Sequence, residues 1–167
     1  MKKWLVILSF AGLLCCADSL YRPNVGDVLS STGWISLTNI VRAWSGTTGG
    51  TALPLGSSVF LPPNNTFSTL PTTDAVGVTR VPLTRSTILQ NLYVVLSAGP
   101  GASKTNTITV MTNGAASALA VTLIGTTTNA SDLIHTVSVP AGTDVGVRMT
   151  TQTGSTAGKA AWSFEGR

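Results

Sequence analysis

An Asn-Gly pair in the middle of the chain constrains the fold more than any other feature of the sequence. Two runs rich in β-branched and apolar residues, Thr105 to Thr112 and Ala115 to Ile124, flank Asn113 and Gly114. Asn-Gly is a preferred pair for a two-residue type I′ turn, in which both central residues have positive φ. The sequence therefore predicts an antiparallel β-hairpin at this point.

A third strand is expected immediately before the hairpin, in the run from Ile88 to Ala98. Strict alternation of two sets of residues predicts a β-strand with one face toward a core. A Gly-Pro-Gly sequence at 99–101 ends the run. The core-facing set is Leu92, Val94 and Leu96, and the set on the opposite face is Asn91, Tyr93 and Val95.

Length and composition indicate one all-β domain. A chain of 167 residues has room for one domain with a substantial core. Charged residues make up only 10% of the chain, while Thr, Ser, Gly and Ala are abundant, a mixture that favours strands and turns over helices. Short β-prone segments separated by turn residues predict an antiparallel two-sheet jelly-roll sandwich of about eight strands.

Further segments carry definite predictions for their side chains. Val76 and Val78 are expected to face the core from a strand over residues 74–82, and residues 126–132 are expected to form a polar loop. The last strand is expected to turn Trp162 and Phe164 inward. A strand over residues 133–139 is expected to place on one side Leu133, His135, Val137 and Val139.

The first 17 residues have the three-part organisation of a secretory signal peptide. Lys2 and Lys3 precede an apolar run from Trp4 to about Leu14, and small residues follow. We expect cleavage between Ala17 and Asp18 and secretion to the extracellular space or cell surface. The apolar run is shorter than the roughly 20 residues that span a bilayer. A retained anchor and lipidation at Cys15 or Cys16 are the alternatives, so the membrane is expected as a partner only through this segment.

Removing the signal segment changes both the cysteine content and the charge. No cysteine would remain, so no disulfide would support the domain in an oxidising compartment. Eight basic and six acidic residues would remain, an excess too small to predict nucleic acid as a partner. We divide the chain into the signal peptide (1–17), an N-terminal arm (18–51) with a short strand predicted over residues 33–37, and a jelly-roll domain (52–167).

The pattern from Arg80 to Thr150 resembles a known domain class. Its elements are the Asn-Leu-Tyr-Val run from residue 91, the Pro-Gly at 100–101, the strand over 107–110, the Asn-Gly turn and the strand and turn over 137–142. Together they resemble the C-terminal jelly-roll domains of the tumour-necrosis-factor and C1q class, as found in bacterial collagen-like surface proteins and phage fibres. The resemblance implies a non-enzymatic homotrimer, and no functional residue is carried over by position.

Residues suited to catalysis or metal binding are few in the mature chain. His135 lies near Asp132 and Ser131, which are the residue types of a catalytic triad, but neighbours along one strand and loop do not converge as a triad requires. We therefore predict no enzyme, no catalytic residue and no cofactor. Transition metals need several His or Cys ligands. Calcium at Asp74, Asp132 and Asp144 remains an alternative to three solvated turn aspartates.

The predicted function rests on strand residues that lie opposite the core-facing positions and make the second face of the central strands apolar. A sandwich with two apolar faces on its central strands is most simply buried against another copy. We expect an exported structural protein that self-associates as a trimer or as a filament subunit. In the filament variant, the arm adds a strand to the next subunit's sheet. The residues expected to mediate self-association, opposite the core-facing positions, are Tyr93, Val95, Ala120, Thr122 and Ile124.

A glycan- or receptor-binding module of a phage fibre or cell-surface adhesin is the alternative function. Aromatic side chains such as Trp34, Trp44, Trp162, Tyr21 and Tyr93 could serve as platforms on which sugars stack. The predicted loops, in contrast, are small and rich in threonine rather than aromatic. Their composition favours assembly over sugar capture.

Overall fold

The computed structural model of the protein describes residues 42–65 and 69–167. The predicted signal peptide, the Ala17–Asp18 cleavage position and the arm up to residue 41 lie outside the described residues. Within the described part the chain is all-β without a helix, and two antiparallel sheets pack against each other. The predicted fold class is therefore confirmed.

Within the described residues, ten strands make up the two sheets. The strands are β1 (Arg42–Thr47), β2 (Ser58–Leu61), β3 (Arg80–Pro82), β4 (Thr87–Leu96), β5 (Gly101–Thr112), β6 (Ala115–Gly125), β7 (Asn129–Asp132), β8 (Val137–Val139), β9 (Asp144–Thr151) and β10 (Ala160–Gly166). Sheet I has the order β1-β10-β4-β7, with β8 also paired to β4, and sheet II has the order β2-β9-β5-β6, with β3 also paired to β9.

The strand pairing is nested in the manner of a jelly roll. The first strand pairs with the last, β2 and β3 pair with β9, β4 pairs with β7 and β8, and β5 pairs with β6. If β2 with β3 and β7 with β8 are each counted as one interrupted strand, eight strands pair first with eighth, second with seventh and so on inward. This nesting is the jelly-roll arrangement.

The predicted hairpin is present at the centre of the nesting. Asn113 has φ 49° and Gly114 has φ 77°, so both central residues adopt the positive φ that a type I′ turn requires. The turn is also fixed to the start of β9. The Asn113 N–H donates to the Asp144 carbonyl at 2.8 Å, and the Asp144 N–H donates to Asn113 Oδ1 at 2.9 Å.

A β-bulge in β4 sets which of its side chains face outward. Leu89 and Leu92 are both fully buried although they are three residues apart. Asn91 has φ 56°, and the register between β4 and β10 shifts at the same place. The extra residue of a bulge reverses the alternation beyond it. Tyr93 and Val95 consequently point outward, as the sequence predicts.

The core lies between the two sheets and contains the aromatic residues of the last strand. Trp162 and Phe164 are buried, as predicted. Trp162 Nε1 donates to the Pro63 carbonyl at 3.1 Å, which satisfies its polar edge inside the core. Trp44 stacks on Phe164 with ring centroids 5.4 Å apart, so β1 contributes to the same core.

The sandwich includes residues that the sequence analysis assigned to the arm. Residues 42–47 form β1, which pairs along its whole length with β10. The Thr47 N–H donates to the Asn65 carbonyl at 2.7 Å. The domain therefore begins no later than Arg42, ten residues before the predicted boundary.

Two side-chain predictions are wrong because turns replace the expected strands. Val76 and Val78 are 63% and 62% exposed. They lie in a turn in which the Ala75 N–H donates to Thr79 Oγ1 at 2.8 Å and the Thr79 N–H donates to the Ala75 carbonyl at 3.0 Å. The strand belonging to this segment is β3 alone, at residues 80–82.

The prediction for residues 126–139 is also wrong. The segment expected to be a loop contains β7, which pairs with β4. The segment expected to be one strand begins with an exposed turn over residues 133–136, and only Val137–Val139 form a strand, β8. Leu133 and His135 are consequently exposed rather than facing the core with Val139.

Candidate functional site

Tyr93 and Val95 lie in the middle of an uncharged outer surface on sheet I. Tyr93 is 46% exposed and Val95 is 40% exposed. The strand register places two rows of side chains across four strands, and no member of either row is charged. We name this surface the Tyr93 face: Ser45, Ser163, Tyr93 and Ser131 form one row, and Thr47, Ala161, Val95 and Asn129 form the other.

The remaining predicted self-association residues lie on sheet II. Ala120, Thr122 and Ile124 belong to β6, and their side chains are on its outer face. Ile124 is 58% exposed, and the Thr122 and Thr107 hydroxyls share a hydrogen bond at 3.1 Å. The structure therefore divides the five residues between two surfaces in different sheets. A single patch that contains all five does not form within one chain.

An exposed apolar pair beside β7 was missed by the sequence analysis. Leu133 is 67% exposed and Ile134 is 87% exposed. The turn that carries them is held by Asp132, whose carboxylate accepts the N–H of Ile134 at 3.3 Å and of His135 at 3.1 Å. An aspartate often accepts hydrogen bonds from the backbone two and three residues ahead, which forms an Asx turn. The aspartate at position 132 was therefore a turn signal that the sequence offered.

Asp132 also ties the two sheets together. Its Oδ2 accepts the N–H of Ala120, on β6 of the other sheet, at 3.2 Å, and lies 2.9 Å from His135 Nδ1. Burial raises the pKa of the Asp132 carboxyl, but hydrogen bonds from His135, Ala120 and Ile134 outweigh it and hold the pKa below its ordinary value. The carboxylate is therefore stabilised in its charged form.

The three residue types of a catalytic triad do not assemble. His135 and Asp132 come together, as described above. Ser131 is exposed and lies opposite Tyr93 in the strand register, whereas the adjacent Asp132 side chain is buried. Neighbouring residues on a strand point to opposite faces. Ser131 therefore belongs to the Tyr93 face and is separated from the imidazole.

Two of the three carboxylates considered for calcium converge on an arginine. Arg80 Nε lies 3.1 Å from Asp74 Oδ1, and Arg80 Nη1 lies 4.0 Å from Asp144 Oδ2. Asp132 pairs with His135 instead. Within residues 42–65 and 69–167, no group of three or more His, Cys, Asp or Glu side chains is placed to hold a metal ion.

The same described ranges contain no helix long and apolar enough to span a membrane. No protein-family model matches the sequence, and no curated protein matches it. The functional argument consequently rests on the geometry of this chain.

Proposed function

We propose that the chain is a secreted, non-enzymatic structural protein that self-associates, as a trimer or a filament subunit, on an extracellular surface. One observation carries the proposal: Tyr93 and Val95 lie exposed at the centre of a four-strand surface without a charged side chain. The leader-like first 17 residues support export, and the jelly-roll strand order supports a likeness to the trimeric tumour-necrosis-factor and C1q class.

Association through the Tyr93 face is favoured by its composition. Full burial of a Val or an aromatic side chain contributes about 1.5–3 kcal/mol, and no charge in the two rows has to be desolvated. Charged residues flank the two rows on both sides. Lys159 lies beside Ser97, beyond Val95, and Glu165 is in the adjacent row opposite Ala43. Its carboxylate accepts a hydrogen bond from Asn91 Nδ2 at 2.7 Å. The surface thus has an uncharged centre and a polar rim, the usual organisation of an interface core.

The test is the molar mass of purified full-length protein and two double variants, measured by light scattering after size exclusion. We expect the wild type to have several times the mass of one chain. Tyr93→Ser with Val95→Thr should reduce the average mass at least twofold. The matched control, Val76→Thr with Val78→Thr, removes two valines that are more exposed than Val95 but lie outside the Tyr93 face, and it should leave the mass unchanged. A folded wild-type protein with the mass of one chain would contradict the proposal.

A glycan-binding module is the second candidate, and the exposure of Tyr93 favours it. Trp44 and Trp162 pack against or within the core, so Tyr93 is more open to a sugar than either tryptophan. Ser163, Ser131 and Asn129 surround it with hydroxyl and amide groups. Binding of the wild type, but not of Tyr93→Ala, to a glycan array would favour this function. An array without wild-type binding would count against it.

A further inference from the structure

Strand β6 is the end strand of sheet II, and its own sequence lacks the features that usually protect a sheet edge. Its eleven residues contain neither a charged residue nor a proline. Sheet edges are usually protected by charges, prolines or short strands, because an open edge is a template for another strand. The opposite edge of the same sheet follows this rule: β2 has four residues, and β3 has three, beginning with Arg80 and ending with Pro82. The contrast singles out β6 as the open side.

The backbone of β6 directs hydrogen-bonding groups away from its partner β5. The Ala120 N–H donates to Asp132 Oδ2 at 3.2 Å, and the Ile124 carbonyl accepts the Thr127 N–H at 3.2 Å. Both groups therefore point away from β5. In an antiparallel strand, the backbone N–H and C=O groups of successive residues point alternately toward and away from the partner strand. Thr122 lies two residues from both Ala120 and Ile124, so its N–H and C=O also point away from β5. Thr122 is the position where an added strand would pair.

The chain enters the sandwich at the margin opposite β6. Arg42 begins β1, the end strand of sheet I, whereas β6 is the end strand of sheet II and bonds to β7 at the other end of sheet I. The nine residues before it, residues 33–41 (GWISLTNIV), contain no charge and no proline and include a predicted strand. Nine extended residues span about 30 Å, which matches most of β6.

From these positions we infer that residues 33–41 of one copy add a strand to the edge of β6 around Thr122 in the next copy. This inference rests on the proposed self-association and specifies how copies join. The donor segment and the acceptor edge are different parts of the chain, so the contact is heterologous. Repetition of a heterologous contact produces a ring or an open filament. Backbone hydrogen bonds supply the pairing, and alternate side chains determine the register.

The test uses complementary proline variants of the full-length chain in the Tyr93→Ser/Val95→Thr background, so that the Tyr93 face does not contribute. Thr122→Pro removes the outward N–H of the acceptor. Ile35→Pro with Ser36→Pro removes two successive N–H groups of the donor, one of which faces the acceptor in either register. Each variant alone should have the mass of one chain. An equimolar mixture should form a complex of two chains, because one functional arm meets one functional edge.

Matched controls keep the N–H groups. Thr122→Val loses the Thr122 hydroxyl, as Thr122→Pro does, but keeps the N–H. Ile35→Val with Ser36→Thr keeps strand-forming residues in the donor segment. Both controls should assemble as the background protein does. Near-ultraviolet circular dichroism reports whether each proline variant is folded. If Thr122→Pro is not folded, the donor variant, altered outside the described residues, decides the case. Assembly of the donor variant at the background mass, or a mixture of folded variants that stays as single chains, would overturn the inference. Such a result with an oligomeric wild type would leave the proposed self-association intact, whereas a monomeric wild type would refute both.

Discussion

At the scale of single residues, the carboxylate of Asp132 links three parts of the molecule. It accepts hydrogen bonds from the turn that carries Ile134, from the His135 ring and from Ala120 in the opposite sheet. A buried carboxylate with several donors is stable only while all of them remain in place. Asp132 therefore fixes both the edge of the sandwich and the outward position of Leu133 and Ile134.

We predict that Asp132→Asn lowers the free energy of unfolding by about 1–3 kcal/mol, because an amide cannot accept all these hydrogen bonds and its NH₂ is left near other donors. His135→Ala is the matched control. It removes only an exposed ring partner and should cost about 0–1 kcal/mol. Urea denaturation of both variants measures the difference. Equal effects of the two substitutions would show that the backbone donors do not contribute.

The Asp132 carboxylate also predicts a pH dependence of stability. Its pKa in the folded protein is below its ordinary value of 3.8, so the unfolded chain binds the proton more tightly. The stabilising contribution is therefore present above the unfolded pKa and is lost as the pH falls through the folded pKa. The stability difference between wild type and Asp132→Asn should therefore shrink as the pH falls below about 5 and through the lowered pKa of Asp132. A difference that grows on acidification would contradict this assignment.

At the scale of strands and turns, the sequence is sufficient where the determinant is local. The β5–β6 hairpin follows from Asn113 and Gly114, because their positive φ values are a property of the two residues themselves. The inward Trp162 follows from alternation along β10, and the outward Tyr93 follows from the alternation of Leu92, Val94 and Leu96 beyond the bulge. Val76 and Leu133 were assigned wrongly because their alternating patterns coincide with turns stabilised by side chains, Thr79 in one case and Asp132 in the other. Apolar alternation alone does not reveal such bonds.

We predict that Gly114→Ala destabilises the domain more than Gly125→Ala. Both glycines have positive φ, 77° and 63°, so each substitution incurs about 1 kcal/mol of backbone strain. A Cβ at Gly114 would also lie 3.2 Å from Arg80 Nη1 and 3.3 Å from Asp74 Oδ2, whereas nothing lies within 4 Å at Gly125. Thermal unfolding of the two variants compares them. Equal melting temperatures would show that the Arg80 side chain moves aside without cost.

At the scale of the whole molecule, the sequence predicts which side chains point outward but does not predict which of them are neighbours. Tyr93 and Ile124 were both predicted to mediate self-association, and they are on different sheets. The nested pairing that separates them joins residues far apart in the chain, such as Ala43 with Glu165. No local pattern encodes such a pairing. The sandwich class is therefore predictable, whereas the division of its outer surface into the Tyr93 face and the β6 edge is not.

We predict that assembly is insensitive to salt or is strengthened by it. The Tyr93 face and β6 contain no charged residue, so screening has no attraction to weaken there. The average mass from light scattering should not fall between about 0.05 M and about 1 M sodium chloride. Dissociation at high salt would instead assign the contact to the charged residues at the rim.

The central claim is that the outward apolar residues of the Tyr93 face are covered by another copy of the chain. Carbene footprinting of the purified protein, read by mass spectrometry, tests this directly because it labels exposed side chains of every type. Val76 and Val78, more exposed than Tyr93 and Val95 in the single chain, are internal references. We expect Tyr93 and Val95 to be protected at high protein concentration and labelled after dilution, while the references are labelled throughout. Labelling of Tyr93 and Val95 in proportion to their single-chain exposure at every concentration would contradict the account.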